Sequence, residues 1–354
     1  MKSGMTLTQM ATELERQMKT KKDFVAPTAA IEMLPDTRLS LKETGEFQAT
    51  DYTHAQIATY TGIPKAYYDR LRTEAPALLS DNVNRWMHDN SLSQDRRMLR
   101  TLDGSARAFL SNKYRPLDNF DLAEAVLPIL MNQGDGLRVE SSALTETRMY
   151  IKAVTNRLTM EINKGDVVQM GLSISNSEVG AGMVKIEPFI LRLICVNGAI
   201  AADASLKKYH VGRGHGGSEG VDVSEYFRDS TRRLDDQAFF AKVQDIIRAA
   251  FSEELFKRLV AKMQATTDQP ITGDPVKVVE ITAEAFGLSD TERGSVLRNL
   301  IKGGDMSQYG LLNAITATAQ DEALTYERAT DLERLGGQII ELKPSDWKAI
   351  GAAA

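Results

Sequence analysis

Residues 167–200 read VVQMGLSISNSEVGAGMVKIEPFILRLICVNGAI, and the fold class turns on this stretch. Two apolar-rich segments, Val168 to Ser175 and Met183 to Leu193, flank the polar run Asn176-Ser177-Glu178-Val179-Gly180-Ala181-Gly182. β-rich arms on either side of a segment able to adopt positive φ predict a hairpin. Lys185, Glu187 and Arg192 interrupt the second arm, so one edge or face of it is expected to stay wet. Cys195 follows the apolar arm and is expected to be buried.

Upstream of the hairpin the pattern is strand after strand: LRVESSAL, TRMYIKAVTN and RLTMEIN, from Leu137 onward. Short links between them predict an antiparallel meander. Downstream, His210 to Val221 holds five glycines and reads as a flexible boundary loop over residues 209–223. From Ser224 helical composition dominates to about Leu335, interrupted at Thr267 to Pro275.

Toward the N-terminus, residues 1–24 read as a polar amphipathic helix, a candidate detached arm. Residues 25–50 are punctuated by Pro and Thr, with a short strand near Thr37 to Leu41. THAQIATYTGIPKAYYDRL (Thr53 to Leu71) predicts helix, glycine turn, helix, with Thr53 as N-cap and Pro64 in the first turn of the second helix. A further helix is expected around Ala75 to Asp89. The class is therefore α+β, with four parts: an N-terminal helix and extended arm (1–50), an α+β core holding the helical hairpin and antiparallel sheet (51–208), the glycine-rich loop (209–223) and a mostly helical region (224–354).

With 354 residues the chain can hold one large domain or two ordinary ones. Its 42% hydrophobic and 26% charged content are those of a water-soluble globular protein. No apolar run approaches the ~20 residues that span a bilayer. The N-terminal segment mixes acids with bases, which fits neither a signal nor a transit peptide. A single cysteine excludes an internal disulfide framework and a Cys-based zinc site. A cytoplasmic location without membrane partners is the expectation. The net charge of -5 weighs against wholesale coating of nucleic acid but is compatible with a local basic groove.

Such a groove has two candidate sources. Arg96, Arg97, Arg100, Arg107, Lys113 and Arg115 are opposed within their segment only by Asp103, and Phe109 and Tyr114 are interleaved. Cations neutralise phosphates and aromatic rings offer bases a stacking surface, a pairing suited to single strands; the alternative reading of the segment is a solvated strand pair with a core Phe and a surface Tyr. A second set comprises Arg148, Lys152, Arg157, Lys164, Lys185, Arg192, Lys207 and Lys208. Arg148, Tyr150 and Lys152 alternate and so share one strand face, read either as solvated surface or as the floor of a polyanion groove.

Other chemistry is thinly represented. His54, His88, His210 and His215 lack partners at metal-ligand spacing, and phosphate-loop, dinucleotide and nucleophile-elbow motifs are absent. No metal, cofactor or catalytic constellation is expected. The tip Gly212 to Gly217 reads as a hinge rather than a phosphate cradle, and the second helix of the 53–71 hairpin is poor in base-reading side chains.

SARAFLSNKYRPLDN (Ser105 to Asn119), SNSEVGAGMVKIEPFILRLICVNG (Ser175 to Gly198) and YGLLNAITATAQ (Tyr309 to Gln320) together resemble the phage/plasmid-like domain-of-unknown-function family 932. The elements that carry the resemblance are Asn176, Ser177, Gly180 and Gly182 in the hairpin turn, Arg192, Cys195, Asn197 and Gly198 after it, and Leu312-Asn313-Ala314 with Thr316. The Trp common before that last signature is absent; Tyr309-Gly310-Leu311 stands there. The family implies a phage, prophage or plasmid origin but no chemistry. At the level of fold the chain is also similar to single-strand annealing proteins of the RecT and Red-beta kind, which implies cofactor-independent annealing and assembly into rings or filaments.

The expectation is sequence-independent binding of single-stranded DNA and strand annealing by a homo-oligomer. Arg107, Lys113, Arg115, Arg148, Lys152, Arg192, Lys207 and Lys208 would hold phosphates, and Tyr114 and Tyr150 would stack bases. The alternatives are a duplex-binding regulator using the 53–71 hairpin and a non-catalytic assembly protein using the C-terminal helices.

Overall fold

A computed structural model describes residues 2–88, 95–114, 116–132, 136–201 and 229–352. The first part of the chain forms α1 (Leu7–Thr20), β1 (Lys22–Pro27), β2 (Ile31–Met33), β3 (Leu39–Leu41), β4 (Gly45–Ala49), α2 (Asp51–Thr61), α3 (Lys65–Glu74), α4 (Pro76–Met87), β5 (Arg96–Leu102), β6 (Ser105–Ser111) and α5 (Asn119–Asn132). There follow β7 (Leu137–Leu144), β8 (Met149–Glu161), β9 (Val167–Asn176), β10 (Lys185–Arg192) and β11 (Asn197–Ile200). The last part is helical: α6 (Asp229–Ala250), α7 (Glu253–Thr267), α8 (Pro275–Phe286), α9 (Asp290–Gly303), α10 (Gln308–Thr318), α11 (Tyr326–Ile340) and α12 (Pro344–Gly351).

The expected meander is present. Its strands lie in the order β11-β10-β9-β8-β7, and every neighbouring pair is antiparallel. Where two strands were expected over TRMYIKAVTN and RLTMEIN, β8 is one long strand with a register irregularity between Thr155 and Thr159. One face is apolar: Ile151, Ala153, Leu172, Ile174 and Ile186 pack with residues of α1, α5 and α6. Met10 and Leu14 of α1 are buried in that core, so the helix is docked rather than detached.

Of the second sheet, the sequence reading reached β3 and, as the alternative reading of the basic segment, the strand pair β5–β6 with Phe109 in the core. Its order is β1-β5-β6-β4-β3-β2, with β4 and β6 paired in parallel over only Gln48↔Ser105 and Ala49↔Ala106. The 53–71 hairpin packs on it. Its N-cap is Thr50, three residues earlier than expected: the Thr50 hydroxyl accepts from the Thr53 amide, which puts Thr53 inside the helix, where its own hydroxyl donates to Ala106 O at 2.8 Å. Gly62 ends α2 with φ 71°, where a side chain would be strained. Inside the hairpin His54 Nδ1 and the Tyr68 hydroxyl are hydrogen-bonded at 2.8 Å, both residues buried.

Burial, with Arg72 nearby, pushes the His54 imidazole down from its ordinary 6.5 to about 4. The unfolded chain then binds the extra proton between those values, so stability is lost as pH falls from about 6.5 to about 4. The loss is at most about 3 kcal/mol. An NMR titration should place the His54 midpoint near 4; a midpoint near 6.5 would put the ring in water instead.

The C-terminal helices form a separate core with Val168 and Met170 of β9 and Ile190 of β10. Leu255, Phe256, Leu312, Ile315, Leu332 and Ile339 are among its members. α11 lies against β11.

Candidate functional site between the two sheets

The loop joining β9 to β10 sits where the two sheets meet. Asn176 Nδ2 donates to Leu117 O and to Asn119 Oδ1, each at 2.9 Å. Ser177 Oγ accepts from the Val179 and Ala181 amides, at 3.3 and 2.9 Å, closing a local turn. Gly180 has φ 82°, and a Cβ there would lie 2.7 Å from Leu110 Cδ2. Four loop carbonyls accept from side chains of other elements: Ser177 O from Tyr114, Glu178 O from Arg100, Val179 O from Gln56 and Ala181 O from Arg148.

Arg100 ties the sheets together. It is fully buried, and its Nε, Nη1 and Nη2 each donate at 2.8 Å to Asp23 Oδ1, Glu178 O and Asp118 Oδ1. Burial alone would raise the Asp118 carboxyl, but Arg100 and Lys21 together hold it below its ordinary value.

Beside this junction lies a pocket of about 240 Å³ whose lining includes Ser105, Arg107, Thr145, Thr147, Arg148 and Glu178. The strand register shifts between Arg100 and Thr101, which leaves Arg107 without a cross-strand partner. Arg107 is 7% exposed, and its Nη1 lies 2.5 Å from Glu178 Oε2. Glu178 Oε1 in turn accepts from the Asn119 amide at 2.6 Å. Arg107 Nε and Nη2 are buried with no hydrogen-bond partner among the described residues. These two nitrogens form the side-on fork of a guanidinium, the edge that matches a carboxylate or phosphate. Arg148, half-buried, shares the pocket and approaches Gly182, where a Cβ would meet its guanidinium at 3.0 Å.

Of the cations and rings expected to form a groove, Arg107 and Arg148 are those among the described residues that line this pocket. Lys113 is exposed near by, and Tyr114 is half-buried with its hydroxyl 3.2 Å from Ser177 O. Arg115, Lys207 and Lys208 lie outside the described residues, as does the glycine-rich loop with His210 and His215. Three expectations need correction. Tyr150 and Lys152 do share a face, but that face is covered: they are 1% and 0% exposed, and Lys152 Nζ is paired with Glu333. Burial pushes the Tyr150 hydroxyl up to about 12 and lowers the Lys152 ammonium. Arg192 lies at the far end of the hairpin, clamping Asp166 through Nε and Nη2 at 2.7 and 2.8 Å. Cys195 is exposed rather than buried. In the alternative duplex-reading hairpin, Tyr68 is internal and Lys65 is paired with Asp69.

Glu178 and Asn119 were not expected in the site. The available signal was a single acid, Glu178, in the turn between two apolar-rich arms. Among the described residues no group of three His, Cys, Asp or Glu side chains is placed to hold a metal ion, and no helix is long and apolar enough to cross a membrane.

A family model described as a domain of unknown function, DUF932, matches residues 108–335. That span exceeds half the chain. The chain belongs to the DUF932 family. The DUF932 segment runs from β6 to the middle of α11 and contains the whole β9–β10 loop, Asn119, Thr145 to Arg148 and Glu178; Arg107 precedes it by one residue. Searches of curated proteins and of solved structures each returned no match to this DUF932 chain.

Proposed function

We propose that this DUF932 protein binds single-stranded DNA without sequence preference and anneals complementary strands, acting as a homo-oligomeric ring or filament. The supporting observation is the Arg107 fork. Glu178 holds Nη1 and so fixes the guanidinium plane, while Nε and Nη2 have no hydrogen-bond partner among the described residues. A backbone phosphate offers two oxygens at the right spacing for that edge. Arg148 and the Ser105 hydroxyl line the same pocket, as do the hydroxyls of Thr145 and Thr147, which in this structure donate to Glu327. Phosphate contacts carry no sequence information, which suits a protein that must hold any strand with its pairing edges free. Annealing then needs no catalytic acid, base or metal.

The test is fluorescence anisotropy of a labelled single-stranded oligonucleotide at two salt concentrations. Affinity is expected to fall steeply with salt, as counterion release requires. Arg107→Met and Arg148→Met should each weaken binding about tenfold, the loss of a charge-assisted contact. Arg148→Met guards against instability in the first variant, because Arg148 is only half-buried. No binding at low salt would overturn the proposal. Equal competition by inorganic phosphate and by a long strand would reassign the pocket to a small anion.

A further inference from the structure

We infer that the β8 strip Arg148–Tyr150–Lys152 continues the pocket as a track for the same strand, and that the N-terminal half of α11 occupies this track as an internal mimic of the polyanion. This rests on the proposed single-strand binding.

The face of the meander beneath α11 is polar where a buried sheet face is ordinarily apolar. Lys152 stands opposite Ser173 and Tyr150 opposite Ser175, with Ser141 of β7 beside Lys152. All five side chains are at most 4% exposed. α11 is correspondingly two-sided. Leu332, Leu335 and Ile339 join the helical core, while Tyr326, Thr330 and Glu333 meet the strip. Tyr326 and Ser141 are hydrogen-bonded through their hydroxyls at 2.7 Å, and Thr330 Oγ1 accepts from Lys152 Nζ at 3.2 Å.

Two carboxylates of α11, those of Glu327 and Glu333, sit where phosphates of a bound strand would sit, while Arg334 of the same helix pairs with Asp331 and with Glu187 of β10. Glu333 neutralises Lys152. Glu327 Oε1 accepts from Thr145 Oγ1 at 2.6 Å and from the Thr147 hydroxyl, both of which line the Arg107 pocket. The helix thus reaches from the pocket rim to the buried lysine with one acid at each end. Its polar fit is incomplete. Ser173 Oγ, Ser175 Oγ and Glu333 Oε1 are buried without a hydrogen-bond partner among the described residues. An ion pair in such surroundings gives little net stability over an apolar pair. A seam that is poorly satisfied internally is one that an external polyanion can replace.

The experiment locks the helix down. Lys152→Met with Glu333→Leu replaces the buried ion pair by an apolar one, which should leave thermal stability unchanged or raised. Single-strand affinity should fall at least tenfold, because the track is sealed and lacks its cation. In the unaltered full-length protein, saturating oligonucleotide should accelerate amide exchange in residues 326–334 about tenfold, which reports release of the helix even if the double variant misfolds. Wild-type binding with unchanged or slower exchange there would overturn the mimic while leaving the phosphate pocket standing. Loss of all binding in the wild type and in Glu327→Gln would overturn both readings. Binding by Glu327→Gln alone would support the mimic.

Discussion

Arg100→Met is expected to lower the unfolding free energy by about 3–5 kcal/mol, the range for removing one partner of a buried charge network. The guanidinium is fully buried and donates to three acceptors from β1, the segment before α5 and the β9–β10 loop. Methionine fills much of the volume but leaves the Asp23 and Asp118 carboxylates facing each other across an apolar side chain. Among the described residues Lys21 is then the cation paired with Asp118. Arg100→Lys should recover only part of the loss, because a single ammonium cannot serve three acceptors that a planar fork reaches at once. Urea denaturation measures both variants. A loss below about 1 kcal/mol for Arg100→Met, the net worth of an ordinary hydrogen bond, would show that the two sheets are held together by other contacts.

Gly337→Ala should be destabilising by about 2–3 kcal/mol, the cost of forcing extra volume into a packed contact. Helix propensity alone predicts the reverse, a gain of up to about 1 kcal/mol for Gly to Ala inside a helix. The clash decides the sign. A Cβ on Gly337 would lie 1.8 Å from Ile200 O and 2.8 Å from its carbonyl carbon, backbone atoms that cannot swing aside. α11 would have to lift from β11. Gly294 in α9 provides the contrast: a Cβ there meets nothing within 4 Å, so Gly294→Ala should be stabilising. Thermal melts of the two variants should move in opposite directions. A shared direction would mean that the α11–β11 approach is looser than described.

The β9–β10 hairpin was legible because both arms alternate or run apolar over whole strand lengths, and its observed bounds fall within two residues of those expected. β7 was equally plain. The six-stranded sheet was not legible as a whole, since β2 and β3 have three residues each and β1 pairs with a strand some seventy residues away. Nothing local announces such a pairing. Alternation correctly set Tyr150 and Lys152 on one face, yet it could not say that Glu333 would cover them, because the partner lies 181 positions along the chain. Arg107 was picked out for its charge. That it sits in a pocket depends on a register shift and on Glu178, neither visible in a count of cations.

Besides the side chains of Ser177 and Glu178, the β9–β10 loop is gripped by its main chain. Tyr114, Arg100, Gln56 and Arg148 each hold one of its carbonyls, and any amino acid presents the same carbonyl. Mutational tolerance is therefore partly displaced in space: Val179 and Ala181 can vary in type, subject to packing, without losing these carbonyl contacts, whereas the loop's shape depends both on Ser177, Glu178 and Gly180 within it and on four residues that lie elsewhere in the sequence. Grafting the loop alone into another hairpin would carry its letters but not its conformation.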